Sequence, residues 1–121
     1  MKLELKENMY IRTKGGIIDK ILKLNKSYVK GVSQKDELYA YDIDNIVKAS
    51  YNIIDLIEVG DFVNGLKVTL INEPSMANCY KRIVYAEDRK GYLIETFTEK
   101  DIKSIVTKEA FSSVEYRMET N

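Results

Sequence analysis

The sequence predicts a mainly β protein: a small antiparallel rolled sheet or SH3-like, partly open barrel, finished by short C-terminal helical turns. Three observations predict it. Gly15-Gly16 and Asn64-Gly65 are turn dipeptides set between apolar runs. The flanking segments carry β-branched and aromatic residues at close to alternate positions, the period of a half-buried strand. The connections are short, as they are in small barrels. With 121 residues, no Pro/Ser/Gly-rich linker and no repeat of fixed period, the chain reads as one domain, 1–121.

The elements follow in order. Met9 to Lys14 is rich in strand formers, and Gly15-Gly16 suits a two-residue type I′ turn, whose central positions both need positive φ. Ile17 to Leu24 is the return strand, although its apolar spacing also fits a short amphipathic helix. Asn25 to Ser27 is a turn, Tyr28 to Val32 a third strand, and Gln34 to Glu37 a polar loop tip. From Leu38 to Ser50 the alternation continues with a break at Asp44-Asn45. Ile53 to Ile57 is a buried apolar cluster. Gly60-Asp61 turns the chain into Phe62-Val63, Asn64-Gly65 reverses it, and Leu66 to Ile71 runs back. Asn72 to Asn78, around the sole proline, is a surface loop. Tyr80 to Ala86 and Tyr92 to Phe97 make a further hairpin across Glu87 to Gly91. Thr98 and Thr107 are N-caps for helical turns at 99–103 and 108–112, Thr98 with an acidic residue three places on. Val114 to Met118 is a closing strand.

Composition removes whole classes of function. Histidine is absent, which excludes Ser-His-Asp and Cys-His catalysis and histidine-based metal sites. Cys79 is the single cysteine and has no partner within the chain. The 19 basic residues equal the 19 acidic ones, so no net field steers the protein to nucleic acid or an anionic membrane. Met1 to Glu7 alternates charged and apolar residues where an export signal needs a continuous apolar run. No window approaches a membrane span. The expectation is a cytoplasmic protein with a reduced thiol.

The remaining chemistry lies in aromatics and cations. Nine tyrosines stand beside three phenylalanines and no tryptophan. A tyrosine offers a stacking face and a wet hydroxyl, against the alternative of cross-strand packing. Arg12, Arg82, Arg89 and Arg117 are the bidentate anion binders among mostly lysine cations. Arg82 has Lys81, Tyr80 and Asn78 within five residues, a set suited to a nucleotide. The competing reading is a solvated strand edge that discourages aggregation. Asp42 and Asp44 fall on one face of the expected strand, where two carboxylates could hold a cation or simply face water. Cys79 reads as a small buried hydrophobe.

Ile, Lys, Asn and Tyr together exceed a third of the chain, the bias of an AT-rich genome. Glu7 to Lys14, Lys48 to Gly65 and Asp101 to Phe111 resemble small proteins carried by phages and prophages of Clostridia and related low-GC bacteria. In size, β-rich build and source the chain looks like the Thoeris anti-defence family, oligomeric sponges that cage cyclic ADP-ribose-type signals without cleaving them. That resemblance implies a non-enzymatic counter-defence protein, a homo-oligomer, with a small anionic nucleotide as ligand and no cofactor. None of the family's ligand residues maps onto this sequence. Chemistry alone nominates Arg82 and Arg89 for phosphates, Tyr80, Tyr92 and Phe62 for the base face, and Asn78 for the base edge. The alternatives are a protein-binding inhibitor resembling anti-CRISPR factors, using a tyrosine-rich sheet face, and a small β-barrel that grips nucleic acid, which the charge balance disfavours.

Overall fold

Ten short strands fold into two antiparallel five-stranded sheets in the computed structural model, which describes residues 3–33, 35–78, 81–92 and 94–110. The mainly β expectation holds, with one sheet curled into a half-barrel. The finding beyond it is the division of the strands into two sheets.

In the first half, β1 (Tyr10–Thr13), β2 (Ile18–Leu24), β3 (Tyr28–Val32) and β4 (Leu38–Asp42) form a meander. A 3-10 turn over Ile43–Asn45 then sends β5 (Ile46–Ser50) back to the far edge beside β1. The second half repeats the plan. β6 (Phe62–Val63), β7 (Leu66–Asn72), β8 (Ile83–Glu87) and β9 (Ile94–Phe97) form the meander. A 3-10 turn over Glu99–Asp101 delivers β10 (Ile105–Val106) beside β6. The strand orders, β4-β3-β2-β1-β5 and β9-β8-β7-β6-β10, are the same topology written twice.

The registers match residue by residue. Ile21 pairs with Gly31 as Val68 pairs with Ala86, and a bulge follows in each second strand. Leu24, Val29 and Tyr41 stand in one row across three strands, as Ile71, Val84 and Phe97 do. Period-2 alternation puts Ile11, Ile21, Val29, Tyr41 and Ile46 into one core, and Val63, Val68, Val84, Ala86 and Phe97 into a second that also takes Ile54 and Ile57. Loops hide the repeat in the sequence: Asn25 to Ser27 joins β2 to β3, whereas residues 73–82 join β7 to β8.

Where the cores differ, the change is paired. Asp19 and Tyr41 of the first half occupy the places of Leu66 and Phe97 in the second, and the Tyr41 hydroxyl donates to the Asp19 carboxylate. Burial raises the Asp19 pKa against that hydrogen bond, and burial together with Asp19 raises that of Tyr41.

Several local expectations need correction. Only Gly16 of the glycine pair has positive φ, and the Thr13 N–H donates to the Ile17 carbonyl at 2.9 Å, so the connection is three residues, Lys14 to Gly16. A side chain at Gly16 would also collide with Thr107 Oγ1, which donates to the Gly16 carbonyl at 2.6 Å. Ile17 to Leu24 is strand from Ile18, and the helical alternative falls. Asp42 ends β4 and Asp44 sits in the following 3-10 turn, so they share no strand face. Lys81 and Arg82 precede β8, which starts at Ile83, and Tyr92 precedes β9, which starts at Ile94, while Tyr80 lies outside the described residues. Asn64-Gly65 makes the expected two-residue turn with both residues at positive φ. The 3-10 turn at Glu99–Asp101 carries the expected capping box, and Thr107 Oγ1 accepts from the Ala110 N–H at 3.3 Å. The strand proposed for Val114 to Met118 lies outside the described residues, as do residues 111–112 of the last helical turn.

The halves are joined through Arg12, which is fully buried at 0 % exposure on β1. Its guanidinium reaches Asp61 Oδ2 and Oδ1 at 2.5 and 2.9 Å, Glu109 Oε2 at 2.6 Å and the Leu56 carbonyl at 2.9 Å. Glu58 faces its Nε at 3.6 Å. Burial works against the cation, but Asp61 and Glu109 hold its pKa above the ordinary value. Asp61 also accepts from the Glu58 and Lys108 N–H groups at 2.8 and 2.9 Å. One buried carboxylate therefore caps a turn, a helix start and the arginine of the other sheet.

Candidate functional site

A groove on the second sheet follows from the hairpin geometry. The two-residue Asn64-Gly65 turn fixes Val63 opposite Leu66 and hence Phe62 opposite Lys67. Val106, Phe62, Lys67, Glu87 and Ile94 then line up as direct neighbours across all five strands. Because Val63 and Val68 point into the core, this row occupies the opposite face. Phe62, Gly65, Lys67, Glu87, Asp88 and Arg89 border a cavity of about 710 Å³ there. Among the described residues, a side chain added at Gly65 would meet nothing within 4 Å.

The cations of this groove are not tied up by the fold. Among the described residues, neither Lys67 nor Arg89 makes an ion pair with a carboxylate. The groove also holds acceptors: Glu87 sits opposite Lys67, and Asp88 Oδ1 takes the N–H groups of Lys90 and Tyr92 at 3.1 and 2.9 Å. The arrangement sets a phenylalanine beside two cations for an anion and carboxylates that can accept from an amino group.

Phe62 and Arg89, nominated from sequence, are brought together here. Arg82 is not with them: half-buried, it pairs with Asp55 at 3.0 Å and Glu73 at 2.8 Å beside a separate cavity of about 450 Å³. Tyr92 is 85 % exposed and contributes its backbone N–H to the Asp88 loop. Asn78 closes a 3-10 turn over Met76–Asn78, and the side chain of Asn78 with all of Tyr80 and Cys79 lies outside the described residues. Residue type alone does not single out Lys67, yet the register set by Asn64-Gly65 is the signal that finds it. Nothing in the sequence ties Arg12 to Asp61, 49 residues away.

Among the described residues, no group of three or more acidic, cysteine or histidine side chains is placed to hold a metal ion, and no helix is long and apolar enough to cross a membrane. Fold and site together define a mainly β protein of two like sheets with an aromatic and cationic groove on one. Comparison with family models, with curated proteins and with solved structures finds no match.

Proposed function

We propose that this protein acts by binding, holding a small anionic nucleotide in the Phe62–Lys67–Arg89 groove and leaving it chemically unchanged. The observation that carries the reading is the state of the three described arginines. Arg12 and Arg82 are spent on carboxylates of the fold, whereas Arg89 is exposed, without a carboxylate partner among the described residues, and stands beside Phe62 and Lys67. Phosphate pairs with Arg89 and Lys67, the base lies on Phe62, and Glu87 accepts from an exocyclic amino group. In a phage counter-defence role the ligand is a cyclic nucleotide signal of the cyclic ADP-ribose type, and a second copy packed on edge strand β9 closes the groove.

A melting screen against cyclic AMP, cyclic GMP, a cyclic dinucleotide and cyclic ADP-ribose tests this. A ligand at one hundred times its Kd stabilises the native state by about 2.7 kcal/mol, a rise of about 10 °C for a chain of this length. Arg89→Ala should abolish the rise without moving the unliganded midpoint, and the nucleotide recovered after denaturation should be intact. A shift that survives Arg89→Ala, or recovery of a hydrolysed product, refutes the reading. A second reading, a protein-binding inhibitor, draws on the 85 % and 63 % exposure of Tyr92 and Ile94 at the β9 edge. It predicts loss of partner inhibition in Tyr92→Ser with no nucleotide shift at all.

A further inference from the structure

We propose that the chain holds a second nucleotide subsite, at Tyr10 and Lys20 on the first sheet, so that each copy binds two ligands of the same chemical class. The inference rests on the groove reading above and extends it through the internal duplication.

The register identifies the place. Ser50, Tyr10, Lys20, Val32 and Leu38 are direct neighbours across β5, β1, β2, β3 and β4. That row superposes in topology on Val106, Phe62, Lys67, Glu87 and Ile94, so Tyr10 takes the place of Phe62 and Lys20 that of Lys67. Both rows lie on the faces opposite their cores, since Ile11 and Val63, the next residues along, are fully buried. An aromatic ring with an ammonium directly across from it is therefore built twice by one topology.

The first copy has the features a ligand needs. Lys20 Nζ lies 5.6 Å from the Tyr10 ring centroid and makes no ion pair among the described residues. An exposed cation–π contact of this kind is worth about 0.5–1 kcal/mol, less than a charge-assisted hydrogen bond to phosphate, so an incoming anion can draw the ammonium off the ring. A cavity of about 220 Å³ opens beside the pair, bordered by Ser33, Asp36, Asp19 and Ile53. The Ser33 hydroxyl and the Asp36 carboxylate are the polar groups for a sugar or base edge. The cavity is smaller than that of the second sheet, and among the described residues its border holds no arginine. A single phosphate on one nucleoside is the class it fits, and its affinity should be at least tenfold weaker than that of the groove with Arg89.

The test is calorimetric titration of the full chain with AMP and with cyclic AMP, followed by NMR of the Tyr10 and Lys20 signals. Two sites of unequal affinity are expected, with Lys20→Met and Tyr10→Leu removing only the weaker and Arg89→Ala only the stronger. One site, lost in Arg89→Ala and untouched by Lys20→Met, overturns the second subsite while leaving the proposed function standing. No heat and no shift with either nucleotide overturns the second subsite, and the melting screen with cyclic ADP-ribose and the cyclic dinucleotide decides the proposed function separately. Tyr10→Phe, which keeps the ring and its packing, should retain the weaker site, and its loss there would show that the hydroxyl rather than the aromatic face recognises the ligand, against the proposal.

Discussion

Replacing Arg12 with methionine removes the guanidinium that Asp61, Glu109 and Glu58 share and keeps an unbranched apolar stem as far as about the Nε position. Asp61 is at 0 % exposure, so it cannot be rehydrated in place when its partner goes. Removing one member of a buried ion pair costs about 3–5 kcal/mol because a buried charge is left uncompensated. Asp61 keeps the N–H groups of Glu58 and Lys108, which puts the cost at the lower end, about 3 kcal/mol. With an unfolding entropy of about 2.1 cal/mol/K per residue, that is a fall in midpoint of about 12 °C. Differential scanning calorimetry at pH 7 reads it directly. Arg12→Lys should fall between, since an ammonium keeps the charge but cannot fork onto both Asp61 oxygens and reach Glu109 as well. A midpoint for Arg12→Met within about 2 °C of the parent would refute the reasoning that this cluster joins the two sheets.

Tyr41→Phe alone should cost about 1–3 kcal/mol in urea unfolding, because it strands the buried Asp19 carboxylate, whereas the double change Asp19→Leu with Tyr41→Phe, copying Leu66 and Phe97, should recover most of it. Asp19 and Glu58 make opposite contributions to pH dependence. The raised pKa of Asp19 means that the folded state binds the proton more tightly, so this part of stability grows as pH falls toward the ordinary 3.8 and disappears in Asp19→Asn. Glu58 is pushed up by burial but held down on balance by Lys108, Arg12 and Lys48. Its contribution is complete above 4.5 and lost as pH falls through the depressed folded value, so Glu58→Gln should flatten the acid limb of a stability–pH curve. Asn64 combines a positive φ with side-chain bonds to the Lys103 and Ser104 N–H groups and the Asp101 carbonyl. Asn64→Gly should cost about 2 kcal/mol through those bonds alone, and Asn64→Ala more through added backbone strain, as thermal midpoints would separate.

Local chemistry suffices to write down most of the strand and turn order. Turn dipeptides, β-branched alternation and the Thr98–Asp101 spacing act over a few residues, so the β-rich class, the Asn64-Gly65 hairpin and the capped 3-10 turn are legible in the residues themselves. The Gly15-Gly16 turn departs from its local reading because the close approach of Thr107, 91 residues away, fixes what Gly16 must do. Phe62 and Arg89 stand out separately by residue type, whereas Lys67 between them emerges only once the two-residue turn is used to set the register.

Sheet membership, by contrast, is a long-range choice. The chain alone determined that it would pleat, where it would turn and which faces would be apolar, because those are set by neighbours along the backbone. Which strand returns to which edge, the doubling of one topology, and the withdrawal of Arg12 and Arg82 from ligand duty were decided only on folding, when burial and carboxylates from distant segments competed for the same cations.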